Sequence, residues 1–402
     1  MTYDFCCPTL FGLEGIVGDE LRYGGKLSDV RVENGRVYFQ GDEHTLAWAN
    51  LWLRCAERVL ITVGTFEAHT FEELFEGVYD MPWLDYIEKD YAFPVKGYSL
   101  SSDLHSVPDC QSIIKKAIVK SLSDAYGMEW FEETGPRCQI QFSIMNNQVT
   151  LYLDTSGSGL HKRGYRANSN AAPLRETLAA ALVKLSRYRG RGRFVDPFCG
   201  SGTIPIEAAM IAQDRAPGLL RGFDAEHWAM VPQEYWQEAR SEAMERIRHD
   251  GSYEIYASDI DPDCVALTQE NAHKAMVDSV LHVQQADACE RGRYWEEGTL
   301  ICNPPYGERL MDERSARRLI ERFSTVAARS PMKQYIISSD PEFEQHFGVK
   351  ADKRRKLYNG MIKCNVYMYF REPEKRVFLQ NNRSNGHFRA NSSNHRKKPR
   401  NR

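Results

Sequence analysis

Buried strands alternate with helices through the second half of the chain, and this alternation constrains the fold more than any other feature. The predicted strands are 193–196, 254–259, 281–285, 300–303 and 334–338, and the helices between them are 203–212, 262–274 and 314–328. Strands that alternate with helices in this way form an open, mainly parallel sheet. Two further strands, 353–358 and 363–370, flank Asn359-Gly360, a pair that favours hairpin turns. The sequence therefore predicts an α/β domain whose parallel sheet ends in an antiparallel hairpin.

Residues 1–160 have a different sequence pattern, in which short apolar runs are broken by turn residues. The first part has the order β-α-β-β-α-β, with strands at 5–9, 30–33, 37–40 and 58–66 and helices at 12–23 and 44–55. This order is typical of ferredoxin-like domains. Helices at 71–79 and 111–126 and strands at 96–101, 139–145 and 148–154 follow. We therefore expect an α+β region with a ferredoxin-like domain at 1–58 and a second domain at 59–158.

Charge is distributed unevenly along the 402 residues, although the formal net charge is only −3. Residues 371–402 contain ten basic and two acidic side chains, which leaves −11 for residues 1–370. Because residues 373–402 offer few apolar anchors, we expect a disordered basic tail there. A flexible basic arm of this kind can bind the phosphates of a nucleic acid without reading its bases.

The sequence shows neither the pattern of a signal peptide nor an apolar run long enough to cross a membrane. Its ten cysteines form no Cys-x-x-Cys pair, so we expect no structural zinc site and no disulfide framework. These features predict a soluble, cytoplasmic protein that contains no metal.

The segment Asp196–Thr203 follows the first strand of the α/β domain and opens a helix. Gly200 and Gly202 allow the backbone to turn sharply and to approach a ligand closely. The N–H groups at the start of the helix provide hydrogen-bond donors. The segment is neither Gly-x-Gly-x-x-Gly nor followed by a Walker lysine, which weakens the dinucleotide and nucleoside-triphosphate interpretations. A bare Gly-x-Gly also occurs in tight turns that bind nothing.

Two aspartates at the ends of the next strands favour the interpretation that the glycine turn binds a ligand. Asp259 ends the second strand, where an open α/β sheet holds a ribose diol. Asp287 follows the third strand and is placed to accept a hydrogen bond from an adenine amino group. Either aspartate alone is more often a helix cap or a turn residue, and Asp261, directly before Pro262, is expected to be a cap. Three strand-end features in the correct order indicate a nucleoside-containing cofactor.

The string Asn303-Pro304-Pro305-Tyr306 follows the fourth strand. The side-chain oxygen of Asn303 and the carbonyl of Pro304 can both accept hydrogen bonds from one exocyclic amine. The two prolines fix φ and hold these acceptors in place. Tyr306 offers a flat face on which an unstacked base can stack.

Residues 165–372 resemble a class I methyltransferase that uses S-adenosylmethionine, and Asn-Pro-Pro-Tyr resembles the target-amine loop of amino-methyltransferases that act on nucleic acid. Two upstream strings, His-Lys-Arg-Gly-Tyr-Arg and Ala-Pro-Leu-Arg-Glu-Thr-Leu, narrow the resemblance, as does Phe11-Gly12-Leu13-Glu14 near the N-terminus. The whole chain resembles the bacterial THUMP-domain RNA methyltransferases and is similar to the guanine-N2 enzymes of large-subunit ribosomal RNA. This resemblance implies a Rossmann-like domain at 165–372, preceded by the ferredoxin-like domain and an RNA-binding THUMP domain at 59–158.

The resemblance also implies roles for individual residues. Residues expected to bind the cofactor are Asp196, Phe198, Gly200, Gly202, Thr203, Asp259, Asp287 and, in the closing segment 170–174, Leu174. Residues expected to handle the target base are Asn303, Pro304, Pro305 and Tyr306. A separate prediction rests on charge: the basic string within 160–170 is expected to contact RNA through His161, Lys162, Arg163 and Arg166. Such a string is about as often a merely solvated surface, so both interpretations stay open.

Three functions are compatible with these residues. The first is methylation of the N2 amine of a guanine in RNA, with 23S ribosomal RNA favoured over transfer RNA. The second is adenine-N6 methylation of DNA or RNA, because both target atoms are amines on flat rings. The third is a non-catalytic RNA-binding or ribosome-assembly protein that retains a methyltransferase fold.

Overall fold

The structure consists of two large sheets that follow one another along the chain. It is a computed structural model that describes residues 1–166, 174–290, 296–305, 312–360 and 362–379. Within these ranges each large sheet has seven strands, and a small two-stranded sheet accompanies the second. Among the helices of these described ranges, none is long and apolar enough to cross a membrane.

The N-terminal sheet combines the two domains that we predicted for residues 1–158. Its strands are β1 (Tyr3–Pro8), β2 (Arg31–Glu33), β3 (Arg36–Gly41), β4 (Leu60–Glu67), β5 (Val95–Leu100), β6 (Ile140–Met145) and β7 (Gln148–Asp154). Its helices are α1 (Glu14–Asp19), α2 (Glu43–Trp52), α3 (Phe71–Tyr79) and α4 (Val107–Tyr126). The predicted β-α-β-β-α-β order of the first part is confirmed.

The strand order is β2-β3-β1-β4-β7-β6-β5, so β4 joins the two parts. Ile61 of β4 lies opposite Phe5 of β1 on one side and Leu153 of β7 on the other. All three side chains are buried in the same core. The hydrogen-bonded sheet is therefore continuous across the domain boundary that we predicted between residues 58 and 59.

The second sheet carries the α/β alternation. Its strands are β8 (Phe194–Asp196), β9 (Ile255–Asp259), β10 (Leu281–Gln285), β11 (Thr299–Cys302), β12 (Lys333–Ser338), β14 (Lys353–Asn359) and β15 (Ile362–Tyr369), while β13 (Val349–Lys350) pairs with β16 (Val377–Phe378). Its helices are α5 (Glu176–Ser186), α6 (Thr203–Ala212), α7 (Gln233–Glu245), α8 (Pro262–Lys274), α9 (Glu313–Ala327) and α10 (Phe343–Phe347).

The order of this sheet is β10-β9-β8-β11-β12-β15-β14. Strands β8 to β12 are parallel to one another, whereas β15 is antiparallel to β12 and β14. The predicted parallel sheet with a terminal antiparallel hairpin is confirmed. The carboxyl ends of the parallel strands form one edge, which we call the carboxyl edge. The loops that follow β8, β9, β10 and β11 lie along it.

The C-terminal segment differs from the prediction. Arg376 is buried, and its guanidinium donates to the carbonyl oxygens of Ala328 (2.9 Å) and Met332 (3.0 Å). The next residues form β16, in which Val377 lies opposite Lys350. The prediction of disorder from residue 373 is therefore wrong for 373–379, because one arginine anchors the segment through backbone carbonyls. Residues 380–402 lie outside the described residues.

Ion pairs join the two halves of the chain. Glu20 lies 3.1 Å from the ammonium of Lys184, and Glu57 lies 2.9 Å from the guanidinium of Arg175. Both carboxylates belong to the N-terminal region and both cations to α5 or the residue before it. The N-terminal sheet is thus attached to the helix that precedes the first strand of the α/β domain.

Candidate active site

The loop between β8 and α6 has the sharp turn that its glycines predict. Gly200 and Gly202 have φ values of 54° and 82°, in the left-handed region that favours glycine. A Cβ atom on Gly202 would lie 2.8 Å from Cγ2 of Thr268, so a larger residue would also collide there. A Cβ on Gly200 would meet no atom of the described residues within 4 Å. The outer side of the turn is therefore open to a ligand.

Asp196, the last residue of β8, is only 1% exposed. Its Oδ1 accepts a hydrogen bond from the Phe198 N–H at 3.1 Å, but its Oδ2 has no partner among the described residues. Burial raises the pKa of this carboxyl well above its usual range. A buried, unpaired carboxylate oxygen is costly unless a cation or a hydrogen-bond donor reaches it. This geometry fits a ligand that carries an ammonium group.

Asp259 and Asp287 both lie at the carboxyl edge. Asp259 accepts hydrogen bonds from the N–H of Gly200 at 2.9 Å and the N–H of Asp261 at 3.1 Å, so it also fixes the glycine turn. Asp287 accepts from the N–H of Cys289 at 2.8 Å and from Arg322 at 3.0 Å. These two contacts, the backbone bond first, lower the pKa of Asp287. Both carboxylates are therefore oriented by the protein.

Asp261 is a helix cap, as its position before Pro262 predicts. Its side chain accepts a hydrogen bond from the Asp263 N–H at 2.9 Å at the start of α8. This contact uses the carboxylate in local structure and leaves Asp259 as the strand-end residue that faces the glycine turn.

Asn303 follows β11 directly, between β8 and β12 in the sheet. Its Oδ1 is buried and has no hydrogen-bond partner within the described part of the chain. Pro304 is buried as well, and Pro305 is partly buried. A carboxamide oxygen held in this way is available to accept from a ligand. Tyr306 lies outside the described residues.

Leu174 is the described residue of the segment expected to close over the cofactor, and it is 4% exposed. It belongs to the core shared with α5, α6 and the N-terminal domain. Residues 170–173 of that segment lie outside the described ranges.

The basic string before the α/β domain does not form one surface. Arg163 is 2% exposed, and its Nε lies 3.0 Å from Oε1 of Glu207 in α6. It also donates to the carbonyl oxygens of Leu160 (2.9 Å) and Arg54 (2.6 Å). The prediction that Arg163 contacts RNA is therefore wrong, because this guanidinium is buried and its three nitrogens bind protein.

The other three residues of the string differ from one another. Arg166 donates to the hydroxyl of Thr203, the first residue of α6, and its Nε lies 3.4 Å from Oε1 of Glu176. Its charge is thus held beside the glycine turn. His161 is partly buried, 3.7 Å from Glu57. Lys162 is exposed, and its contact with RNA stays a prediction.

Two residues of α8 support the glycine turn and were missed in the sequence. Thr268 donates from its hydroxyl to the carbonyl of Gly200 at 2.8 Å. Asn271 donates to the carbonyl of Ser201 at 2.9 Å. Both side chains are fully buried and lie on the same face of the helix, three residues apart. Polar residues at this spacing on an otherwise apolar face are the signal that could have identified them.

These features together define the class of the protein. A parallel sheet holds a glycine turn after β8, a carboxylate after β9 and another after β10 at its carboxyl edge. The turn lies where the strand order reverses, between β8 and β11, which is where open α/β sheets bind ligands. An Asn-Pro-Pro sequence follows β11 at the same edge. Fold and site are those of a class I methyltransferase.

Comparison with known families agrees with this class. The profile described as "RMKL-like, methyltransferase domain" matches residues 163–368. The "RlmL ferredoxin-like domain" matches residues 4–60, and the "THUMP domain" matches residues 68–154. The chain therefore belongs to the family of RMKL-like methyltransferases that carry a THUMP domain. The resemblance to THUMP-domain RNA methyltransferases inferred from the sequence is confirmed.

Two relatives in sequence are informative. The chain is 42% identical to "Putative RNA methyltransferase YpsC" of Bacillus subtilis, over 92% of this chain and 96% of that protein. It is 32% identical to "Ribosomal RNA large subunit methyltransferase K/L" of Desulfotalea psychrophila, over 94% of this chain. The match covers 54% of the K/L protein, so the chain spans about half the length of that relative.

Solved structures show the same architecture. A protein of Listeria monocytogenes described as a "predicted N6-adenine-specific DNA methylase" is 44% identical, with a TM-score of 0.86 over 92% of this chain and 96% of that one. SMU.472, described as "a putative methyltransferase complexed with SAH", is 41% identical, with a TM-score of 0.87 over 92% of this chain and 98% of that one. SAH is the product that S-adenosylmethionine leaves after methyl transfer. Family and site thus identify S-adenosylmethionine as the cofactor.

In the described ranges, no cluster of three or more histidine, cysteine or acidic side chains is arranged to hold a metal ion.

Proposed function

We propose that the chain transfers a methyl group from S-adenosylmethionine to the exocyclic N2 amine of a guanine in 23S ribosomal RNA. The observation that carries this proposal is the buried Oδ1 of Asn303, which has no partner among the described residues and precedes two prolines. A buried acceptor without a partner is available to a donor that a ligand brings, such as an exocyclic amine. The family relationship supports RNA as the substrate class, since a relative that is 32% identical to this chain is named for large-subunit ribosomal RNA.

Asp196, Asp259 and Asp287 would hold different parts of the cofactor. The free Oδ2 of Asp196 would accept from the amino group of the methionine moiety, whose positive charge compensates the buried carboxylate. Asp259 would accept from ribose hydroxyls, and Asp287 from the adenine amino group. The open side of Gly200 leaves room for the ligand, and Leu174 would pack against it. When bound, S-adenosylmethionine supplies a methyl group activated by a positively charged sulfur.

Asn303 and Pro304 would hold the target amine. The side-chain oxygen of Asn303 and the carbonyl oxygen of Pro304 accept its two hydrogens and fix the direction of its lone pair, which provides the alignment that methyl transfer requires. The nitrogen becomes positive as it forms the new bond, and the same two oxygens stabilise that charge. Stacking of the base on Tyr306 would complete the site. The carbon–sulfur bond would break as the nitrogen–carbon bond forms, which leaves SAH, and the methylated amine would then release its extra proton to water, so that no dedicated general base or metal ion is needed.

The experiment is nucleoside mass spectrometry on separated ribosomal and transfer RNAs from cells that lack the gene. We expect N2-methylguanosine to decrease in 23S RNA and to return when the wild-type gene is restored. Restoration with the Asn303→Ala variant should not return it, which ties the modification to the target loop. Loss of N6-methyladenosine instead would show that the target base is adenine and not guanine. No change in any methylated nucleoside would contradict the enzymatic proposal and favour a binding role.

A further inference from the structure

The hairpin formed by β14 and β15 extends beyond the carboxyl edge of the sheet. Ser338, the last residue of β12, lies opposite Asn365 of β15, so residues 362–364 and their partners on β14 continue past the parallel strands. The tip of this hairpin is therefore on the same edge as Asn303. At a strand spacing of about 4.8 Å, β15 lies roughly 10 Å from β11 across the sheet.

Three side chains on one face of this hairpin suit a nucleic acid. Lys363 lies directly opposite Tyr358, and Lys356 precedes Tyr358 by two residues, so all three point to the same side. The ammonium of Lys356 lies 5.4 Å from the centre of the Tyr358 ring. Both lysines are exposed, and the described residues place no carboxylate within 4 Å of either.

The face with these three side chains is the one that α9 covers further along the strands. Tyr367 and Tyr369 share it by alternation and lie in one apolar cluster with Ile320 and Phe323 of α9. Because α9 connects β11 to the parallel strand β12, its first turns lie at the carboxyl edge. The start of α9 and the tip of the hairpin therefore flank this edge on the same side of the sheet.

The first turns of α9 are also basic. Arg314 and Arg318 are exposed and, within the described ranges, have no carboxylate within 4 Å, whereas Arg317 pairs with Glu321 at 3.5 Å. The nearby carboxylate of Asp312 is occupied as the helix cap, where it accepts from the Ser315 N–H at 3.0 Å. Residues 1–370 carry a net charge of −11, and four exposed cations nevertheless lie around this one edge.

An aromatic residue from the N-terminal domain completes the surface. Phe11 is 59% exposed, and its ring lies 6.4 Å from that of Tyr358 in an edge-on arrangement. The neighbouring Gly12 is fixed to the hairpin, because its carbonyl accepts from Nε of Arg355 at 3.1 Å. The exposed phenyl ring is thus held in place beside the cationic tip rather than left on a free loop.

We propose that Lys356, Lys363, Arg314 and Arg318 bind RNA phosphates on either side of the target nucleotide, while Phe11, supported edge-on by Tyr358, stacks with a neighbouring base. This proposal deepens the proposed function and rests on RNA as its substrate class, but not on the identity of the methylated base. Cations supply affinity for the backbone without sequence information, and exposed aromatic rings supply stacking for unpaired bases. The hairpin and α9 would thereby hold a single-stranded segment against the Asn303 loop.

The test measures binding of a short, fluorescein-labelled, mixed-sequence single-stranded RNA by polarisation across a series of KCl concentrations. Each lost phosphate contact lowers the salt slope by about 0.7 and affinity by roughly five-fold near 0.1 M salt. We expect losses of this size per cation for Lys356→Gln/Lys363→Gln and for Arg314→Gln/Arg318→Gln. Phe11→Ala should weaken binding without changing the slope, because stacking releases no counterions.

The matched control is Lys333→Gln/Lys350→Gln, which removes two exposed lysines away from the carboxyl edge. Lys333 lies at the start of β12, and Lys350 lies in β13 of the small sheet. The proposal is overturned if the control pair weakens binding as much as the hairpin pair, or if neither charge-removing pair alters the slope. Unchanged SAH affinity in each variant shows that the fold is intact. The assay measures RNA binding and not methylation. A different methylated base would therefore leave this result unaffected, and a failure of this binding surface would leave the guanine-N2 proposal untouched.

Discussion

Replacing Asp196 by asparagine separates the role of this carboxylate in cofactor binding from its effect on stability. Asp196 is 1% exposed, and its Oδ2 has no partner among the described residues, so the cofactor-free protein bears the cost of burying it. The amide keeps the acceptor for the Phe198 N–H but removes the charge. We expect Asp196→Asn to stabilise the cofactor-free protein by about 1–2 kcal/mol. For a domain of this size, that stabilisation raises Tm by roughly 2–8 °C.

The same substitution should weaken cofactor binding. An ammonium group that donates to a carboxylate loses its partner, and a hydrogen bond to a charged group contributes about 1.5–3 kcal/mol. The affinity for SAH should therefore fall roughly 10- to 150-fold. Stability and affinity thus change in opposite directions, which a general disruption of the fold would not produce.

The pH dependence of stability gives an independent check. Burial raises the pKa of the Asp196 carboxyl in the folded, cofactor-free protein. Its protonated form contributes stability that is complete below the ordinary pKa of aspartic acid and is lost as pH rises through the raised value. The wild-type protein should lose this contribution with rising pH, and the asparagine variant should not.

Calorimetric melting gives Tm, and isothermal titration with SAH gives the affinity. Asp261→Asn is the matched control, because asparagine caps a helix as well as aspartate does and both quantities should stay unchanged. A variant of Asp196 with lower Tm and wild-type affinity for SAH would refute the reasoning, since the carboxylate would then serve the fold alone.

Three further predictions concern the target loop, the glycine turn and the domain interface. Asn303→Ala should lower the single-turnover rate by roughly 100- to 1,000-fold, while titration should show SAH affinity nearly unchanged; an equal loss of both would contradict its role at the amine. Asn271→Leu leaves the buried carbonyl of Ser201 without its donor, so urea unfolding should show a loss of about 1–3 kcal/mol, with SAH affinity reduced as well. Glu207→Gln leaves Arg163 buried without its counter-charge and should cost about 3–5 kcal/mol in the same assay. If the double variant Arg163→Met/Glu207→Leu is no more stable than Glu207→Gln, the unpaired charge of Arg163 is not the cause of the lost stability.

Much of the fold was predictable because the spacing of apolar residues and the residue preferences of turns depend on local sequence. The helices 203–212 and 262–274 and the strand 281–285 have the predicted bounds. The carboxyl-edge residues were also predictable, since parallel strands bring the residues after their ends together regardless of the distance between them in sequence. Asp196, Asp259 and Asn303 therefore could be grouped before any contact was known.

The predictions that were wrong or missing concern elements that depend on contacts between residues distant in sequence, and sequence patterns do not contain such contacts. Helix α7 was missed because its pattern is mostly polar, and its buried Trp236 stacks on Phe223 in a turn region. Arg376 binds carbonyl oxygens more than 40 residues away, which ordered a segment predicted to be disordered. Composition measures the average tendency of a segment, whereas one buried arginine can anchor it.

The error at Arg163 has the most functional consequence. A basic string next to a predicted RNA-binding domain suggested a surface, but the partner of Arg163 is Glu207, 44 residues later. Thr203 and Glu207 are four residues apart on α6 and thus lie one turn from each other on the same face. Arg166 contacts the first of them and Arg163 the second. The basic string therefore joins the helix that begins at the glycine turn to the N-terminal domain through Arg54, whose carbonyl accepts a hydrogen bond from Arg163. The charges of Arg163 and Arg166 thus fix the N-terminal sheet relative to the cofactor loop, while the contact of the exposed Lys162 with RNA stays a prediction.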